Sequence, residues 1–154
     1  MKPWPEPVER VASALRAAAV DARLEEFPEG TPSAAAAARA VGCTRAEIVK
    51  SLVFIAEGRP VLALVPGDKR ADPAKVAADA RVATADEVFA ATGFEPGGVA
   101  PFPAPAISRV LMDRSLLAHE LVWIGAGSDQ HMAGLAPDDL VRVAKAEIAD
   151  LAEA

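Results

Sequence analysis

Apolar and polar positions change period several times along the chain, and the clearest change comes at Val49. From there Val49, Ser51, Val53 and Ile55 fall on one face and Lys50, Leu52, Phe54 and Ala56 on the other, a period of two rich in β-branched and aromatic residues. Both faces are mostly apolar, which predicts a central strand. Glu57-Gly58-Arg59-Pro60 reads as a turn, and the apolar run 60–65 is short enough for a second strand, so the two form a hairpin. Thr44 and Glu47 have capping-box spacing and predict a helical turn leading into the hairpin. Pro66-Gly67-Asp68-Lys69-Arg70 predicts a loop leading out of it.

Around this unit the pattern is helical. Val8, Val11, Ala12 and Leu15 recur at helical spacing after Pro5 and Pro7, with Glu9, Arg10 and Arg16 on the other side. A short strand is expected over 22–27, then an alanine-rich helix capped near Ser33 and ended by Gly42. Asp72-Pro73 predicts a helix to about Ala80, and Thr84 with Glu87 a helix to Thr92 that Gly93 stops. Residues 94–103 interleave apolar residues with turn formers, as expected of a loop packed on the core. Strands are expected over 109–113 and 121–124, with a helical turn at 115–117 between them. A polar loop over 125–132 precedes a short strand at 133–135. Pro137 opens a final helix with Leu140, Val141, Ile148 and Leu151 as its contacts and the charged tail as its extension. Strands and helices without regular βαβ alternation predict an α+β class, with a mixed, barrel-like β-sheet flanked by helices.

The chain of 154 residues fits a single domain spanning 1–154, and a domain of that size buries about 68–70% of its unfolded surface. One cysteine, Cys43, excludes an internal disulfide and suits a reducing cytoplasm. With two histidines beside it, no zinc set of soft ligands can be built, and no metal or cofactor is expected. Charged residues interrupt the N-terminal segment and no apolar run approaches membrane length, so a soluble, cytoplasmic protein without membrane contact is expected. Net charge of −6 disfavours a face for extended duplex DNA, which relies on many phosphate contacts, while leaving room for a local basic patch at a nucleic-acid end.

The sequence has no phosphate loop, nucleophile elbow or dinucleotide fingerprint. Ser128, Asp129 and His131 are too close in sequence to make a triad, whose members come from separate loops. His119, beside Glu120, reads as a surface residue. Lys50 is the anomaly of its strand, because alternation sets its ammonium beside Leu52 and Phe54. Burying it unpaired is costly, so it must reach the rim or meet an anionic or carbonyl partner. Three segments remain that a mixed sheet could bring together: the surroundings of Lys50, the turn 97–101 and the turn 125–131.

At these residues the chain resembles the YbaK-type aminoacyl-tRNA deacylases, stand-alone relatives of the editing domain in bacterial prolyl-tRNA synthetases. Four blocks in order carry the resemblance: IVKSLVF at 48–54, LVPGDKR at 64–70, GFEPGGVAPF at 93–102 and LAPDDL at 135–140. Together they place it over residues 23–143. The resemblance implies a trans-editing hydrolase that deacylates mischarged tRNA, typically alanine or cysteine on tRNA for proline. It puts Lys50 at the family's lysine and the Gly-x-x-x-Pro turn at Gly97 to Pro101, and it makes Gly98, beside Gly97, a second candidate backbone donor. His131 corresponds to a histidine that lines the amino-acid pocket in alanine-specific relatives, with Ser128 beside it. Relatives vary at the position of Ser51, which leaves substrate choice open. Arg45, Lys69, Arg70 and Arg109 become candidate contacts to the tRNA acceptor end, and a synthetase is a possible partner. The alternative is a non-catalytic module that binds tRNA ends or a synthetase through the same pocket.

The chemistry suits these residues. An aminoacyl ester is already activated, so a site needs mainly to hold it, polarise its carbonyl and place a water. A backbone N–H on a glycine turn can approach the developing oxyanion closely, and one such donor is worth about 10²–10³ in rate. A synthetase pocket sized for proline excludes smaller amino acids poorly, since one methylene is worth about 1–3 kcal/mol.

Overall fold

The computed structural model describes residues 4–154, so the first three residues of the expected 1–154 unit lie outside the described residues. The expected hairpin is there: β2 (Val49–Ala56) and β3 (Arg59–Pro66) pair antiparallel along their full length. Their two-residue turn, Glu57-Gly58, takes φ of 52° and 74°, the left-handed pair that matches the twist of a tight hairpin. Two sheets are built around it. One has the order β4-β2-β3-β5-β8, adding β4 (Arg81–Val82), β5 (Arg109–Asp113) and β8 (Glu147–Ala149). The other has the order β1-β7-β6, from β1 (Arg23–Glu26), β6 (Val122–Gly125) and β7 (His131–Leu135).

β2 is central, as its two apolar faces require. Val49 and Val53 pack with Leu62, Leu64, Met112 and the small sheet's Val122, Ile124 and Leu135, under α1 (Glu6–Ala17). Phe54 and Ala56 pack on the opposite face with Val61, Ala63, Val65, Leu111 and Leu151. Helix α2 (Ala34–Val41) covers the junction of the sheets, where Ala37 and Ala38 meet Ile48, Trp123 and Met132. Its cap is as expected: Ser33 accepts from the Ala36 N–H at 3.1 Å, and Gly42 ends it at φ 85°. The class is α+β with helices flanking a mixed sheet, and the expected barrel is corrected to two sheets that join at one parallel bridge, Ile48 to Trp123.

Three further expectations are corrected. Helix α3 (Pro73–Val76) stops short of Ala80, because the chain must turn back to lay Arg81 and Val82 along β2 before α4 (Ala85–Thr92). The strand at β7 begins at His131 rather than Ala133, since the register pairs His131 with Glu26 of β1. The last helix, α5 (Pro137–Ala144), ends at Lys145, which is left-handed at φ 54°. The charged tail then becomes β8, parallel to β5, with Arg109 and Glu147 paired across it.

Candidate active site

The site lies where strand pairing fails. Along its outer edge β2 meets β6 only at the Ile48 bridge, and β4 takes over at Val53, whose carbonyl accepts the Ala83 N–H at 3.0 Å. Between them the strand has no partner strand, and a cavity of about 300 Å³ opens against it. Its walls are Val49 to Leu52 of β2, Gly97 and Val99 of one turn, and Gly125, Ser128 and His131 of another. Thr31, Ser33, Ala34 and Ala37 close it from the start of α2. The structure therefore brings together the three segments that the sequence left as candidates.

Lys50 meets the carbonyl partner that its burial demands: its Nζ donates to the backbone oxygen of Lys69. Burial pulls its pKa below the usual lysine value, Arg45 and Arg70 push the same way, and Asp68 opposes them. Arg45 is pinned by a 3.2 Å bond from its guanidinium to the Gly67 carbonyl. Lys50, which lines the cavity, thus has two further cations close enough to repel its ammonium, a repulsion that an anion would relieve. Gly67 permits this crowding, since a Cβ there would lie 2.7 Å from both Ala34 Cβ and Arg45 O.

The two glycines of the other turn do different work. Gly97 lines the cavity, is exposed and takes φ 93°, with open space where a side chain would be. Its N–H donates to no acceptor among the described residues. Gly98 is buried, its N–H donates to the Glu95 carbonyl at 3.0 Å, and a Cβ on it would lie 2.7 Å from Ser128 Cα. It is a packing glycine that lets the two turns touch. Of the two expected backbone donors, only Gly97 has an N–H to offer.

His131 is 2% exposed and lines the cavity. Its Nδ1 lies 2.6 Å from Ser128 Oγ, its Nε2 3.7 Å from Glu26, and Trp4 meets its ring edge-on at 5.5 Å. Burial lowers its pKa, against the opposing pull of Glu26 and Asp129, so the imidazole is neutral near pH 7. Ser128 Oγ accepts from the Gln130 N–H at 3.0 Å. Because Ser128 Oγ already accepts from Gln130, its hydroxyl donates to Nδ1, which sets the imidazole proton on Nε2, on the side of Glu26. Ser51 Oγ is buried and has no hydrogen-bond partner among the described residues.

Other candidates fall elsewhere. Pro101 and Arg109 line a separate depression beside Lys145 and Glu147. Arg109 stands opposite Val61 in the ladder whereas Lys50 stands opposite Val65, four residues along β3. Lys69 contributes its carbonyl to Lys50, while its ammonium lies near enough to Asp113 to lower that carboxyl's pKa. The Glu26 contact and the α2 wall were not anticipated, since neither a lone strand-end glutamate nor a Thr-Pro-Ser cap announces a pocket.

Among curated proteins, an uncharacterized protein of Bacillus subtilis (strain 168), YwhH, is 33% identical over 122 residues, covering 76% of this chain and 78% of its own. The proline–tRNA ligase of Lactobacillus gasseri is 35% identical over 89 residues, 54% of this chain. The chain spans only 16% of that ligase's length. Among solved structures, a proposed trans-editing enzyme for prolyl tRNA synthetase superposes with a TM-score of 0.90 at 33% identity, covering 99% of this chain and 100% of that one. A sequence model of the aminoacyl-tRNA editing domain matches residues 28–143, and the chain belongs to that family.

Proposed function

We propose that residues 1–154 form one trans-acting unit that hydrolyses the ester of a small amino acid mischarged on tRNA for proline. The observation that carries this reading is a small cavity lined by Lys50 on one side and by Gly97, whose N–H has no partner among the described residues, on another. Lys50, with Arg45 and Arg70 beside it, holds the terminal phosphate and ribose of the acceptor end. The aminoacyl group enters the cavity between β2, Gly97 and His131. The Gly97 N–H polarises the ester carbonyl and a water adds to it. The bond from carbonyl carbon to ribose oxygen then breaks, and the water's protons end on the ribose hydroxyl and in solvent as the amino acid leaves as its carboxylate. No side-chain nucleophile is required, because the ester is activated and the site supplies position and one preorganised donor.

The test is deacylation of Ala-, Cys- and Ser-tRNA for proline by the purified full chain and by Lys50→Ala. Hydrolysis of at least one ester is expected, reduced about 10- to 100-fold in the variant, as for loss of a charge-assisted contact. No hydrolysis at enzyme concentrations comparable with substrate would overturn the reading in favour of a binding module.

A further inference from the structure

The unpaired stretch of β2 has a direction as well as a position. The two-residue turn makes Ala56 and Arg59 a hydrogen-bonded pair, so the even residues of β2 bond to β3 and the odd residues aim N–H and C=O at the outer edge. Two bonds confirm the parity: the Val53 carbonyl accepts from Ala83 outside the hairpin, and the Ile48 carbonyl accepts from Gly67 on the β3 side. Ser51 is therefore an outward residue in the gap, and no strand or loop of the described residues pairs with its edge. Its hydroxyl is the buried oxygen that also lacks a partner. A buried hydroxyl without a partner is costly, and here it belongs to the residue whose outward N–H and C=O lie on the same cavity wall.

We infer that Ser51 is a docking edge for the α-aminoacyl group, which adds to β2 as a single-residue strand. The spacing of one outward residue's carbonyl and N–H is matched by one α-amino acid unit, whose nitrogen donates and whose carbonyl accepts. The substrate's α-ammonium donates to the Ser51 carbonyl, its ester carbonyl accepts from the Ser51 N–H, and Ser51 Oγ accepts a further ammonium proton. Gly97 lies across the same cavity and supplies the second donor to the ester carbonyl. Main-chain pairing of this kind gives affinity without reading the side chain, as strand addition does elsewhere. It selects α-amino esters over esters that lack the amine. This inference rests on the deacylase reading and adds to it the group by which the substrate is held.

The test compares alanyl-tRNA with lactyl-tRNA, in which a hydroxyl replaces the ammonium at nearly the same size, and uses Ser51→Ala and Ser51→Pro. The proline variant removes the outward N–H without touching the bonds to β3, and the ladder already holds Pro66 opposite Val49 and Pro60 opposite Ile55, two pairs of the same parity as Ser51 and Leu64. Wild type should hydrolyse the lactyl ester with kcat/KM about 10- to 100-fold lower, after correction for the two esters' spontaneous hydrolysis. Ser51→Pro should fall about 10- to 100-fold below Ser51→Ala, the difference isolating the N–H. Equal handling of the two esters by wild type overturns the docking edge while leaving the deacylase reading in place, and this arm does not depend on how any variant folds. Hydrolysis of neither ester, with Cys- and Ser-tRNA also inert, overturns both.

Discussion

Gly98→Ala tests how the site is held together. An ideal Cβ at Gly98 falls 2.7 Å from Ser128 Cα, 2.9 Å from its N and 3.0 Å from its C. Ordinary contact begins near 3.4 Å, so the two turns must part by about 0.7 Å. Both surfaces are backbone, and no side-chain rotation absorbs the clash. Gly98 is outside the left-handed region, so the alanine is unstrained and the whole cost is overpacking, about 1–3 kcal/mol. For a domain of this length that lowers Tm by roughly 3–10 °C. Parting the turns also moves the Gly97 N–H away from the Ser128 and His131 wall. A misplacement near 1 Å costs about 10² in rate, so a loss of roughly 30- to 100-fold is expected. Thermal unfolding followed by circular dichroism, with single-turnover deacylation of alanyl-tRNA, reads both quantities. A folded Gly98→Ala protein with the wild-type rate would refute the claim that this contact positions the donor. Gly97→Ala is the control: its Cβ meets nothing, so its stability loss comes only from forcing alanine to φ 93°, about 1–3 kcal/mol.

Asp113 is 2% exposed and accepts from Ser115 N, Ser115 Oγ and the Leu151 N–H at 2.8 Å; although burial raises its pKa, these bonds bring it below the usual value. Asp113→Ala leaves the Leu151 N–H unsatisfied and should cost about 3 kcal/mol, seen as a lower urea midpoint, with deacylation at 20 °C little changed. His131 binds fewer protons folded than unfolded as pH falls below its ordinary value of 6.5, so it subtracts stability on acidification until its lowered folded pKa is passed. Urea midpoints at about pH 7.5 and 5.5 should diverge more in wild type than in His131→Gln; an equal or larger divergence in the variant refutes this. Arg109 is exposed and spends its guanidinium on Glu147 at 2.8 and 3.0 Å, so Arg109→Ala should change stability by no more than about 1 kcal/mol and leave KM for tRNA unchanged.

What the sequence made legible was local. Strand alternation in β2, the Glu57-Gly58 turn, the Ser33 cap and the glycine stops at Gly42 and Gly93 each depend on neighbours within four residues, and each stands where the pattern put it. The errors are non-local. Leu140, Val141, Ile148 and Leu151 fit a helical period, but the left-handed turn at Lys145 carries no sequence signal, and the segment after it goes to the free edge of β5. Likewise α3 is cut short because β2 needs a partner at Phe54 and Ile55 more than the helix needs another turn. Lys50 was identifiable as an anomaly from the cost of burying its charge, whereas the division of labour between Gly97 and Gly98 needed the Ser128 backbone in view.

The site and the failure of the barrel to close are one feature. Had β6 continued along β2 past Ile48, or β4 run on from Val82 to Ala85, the edge at Ser51 would be paired and the cavity filled by a strand. An open edge is a liability in proportion to its length, because unpaired N–H and C=O groups invite other chains. Here it is held to a few residues, with Gly97 and Gly125 standing back from it and α2 roofing it, so only a short, extended group reaches it. Gly125 helps fix the width of the opening, since a Cβ there would lie 2.6 Å from the Val99 carbonyl of the facing turn. Gly97, Gly98 and Gly125 therefore serve one end: they let two turns approach β2 closely enough to make a pocket without pairing with it.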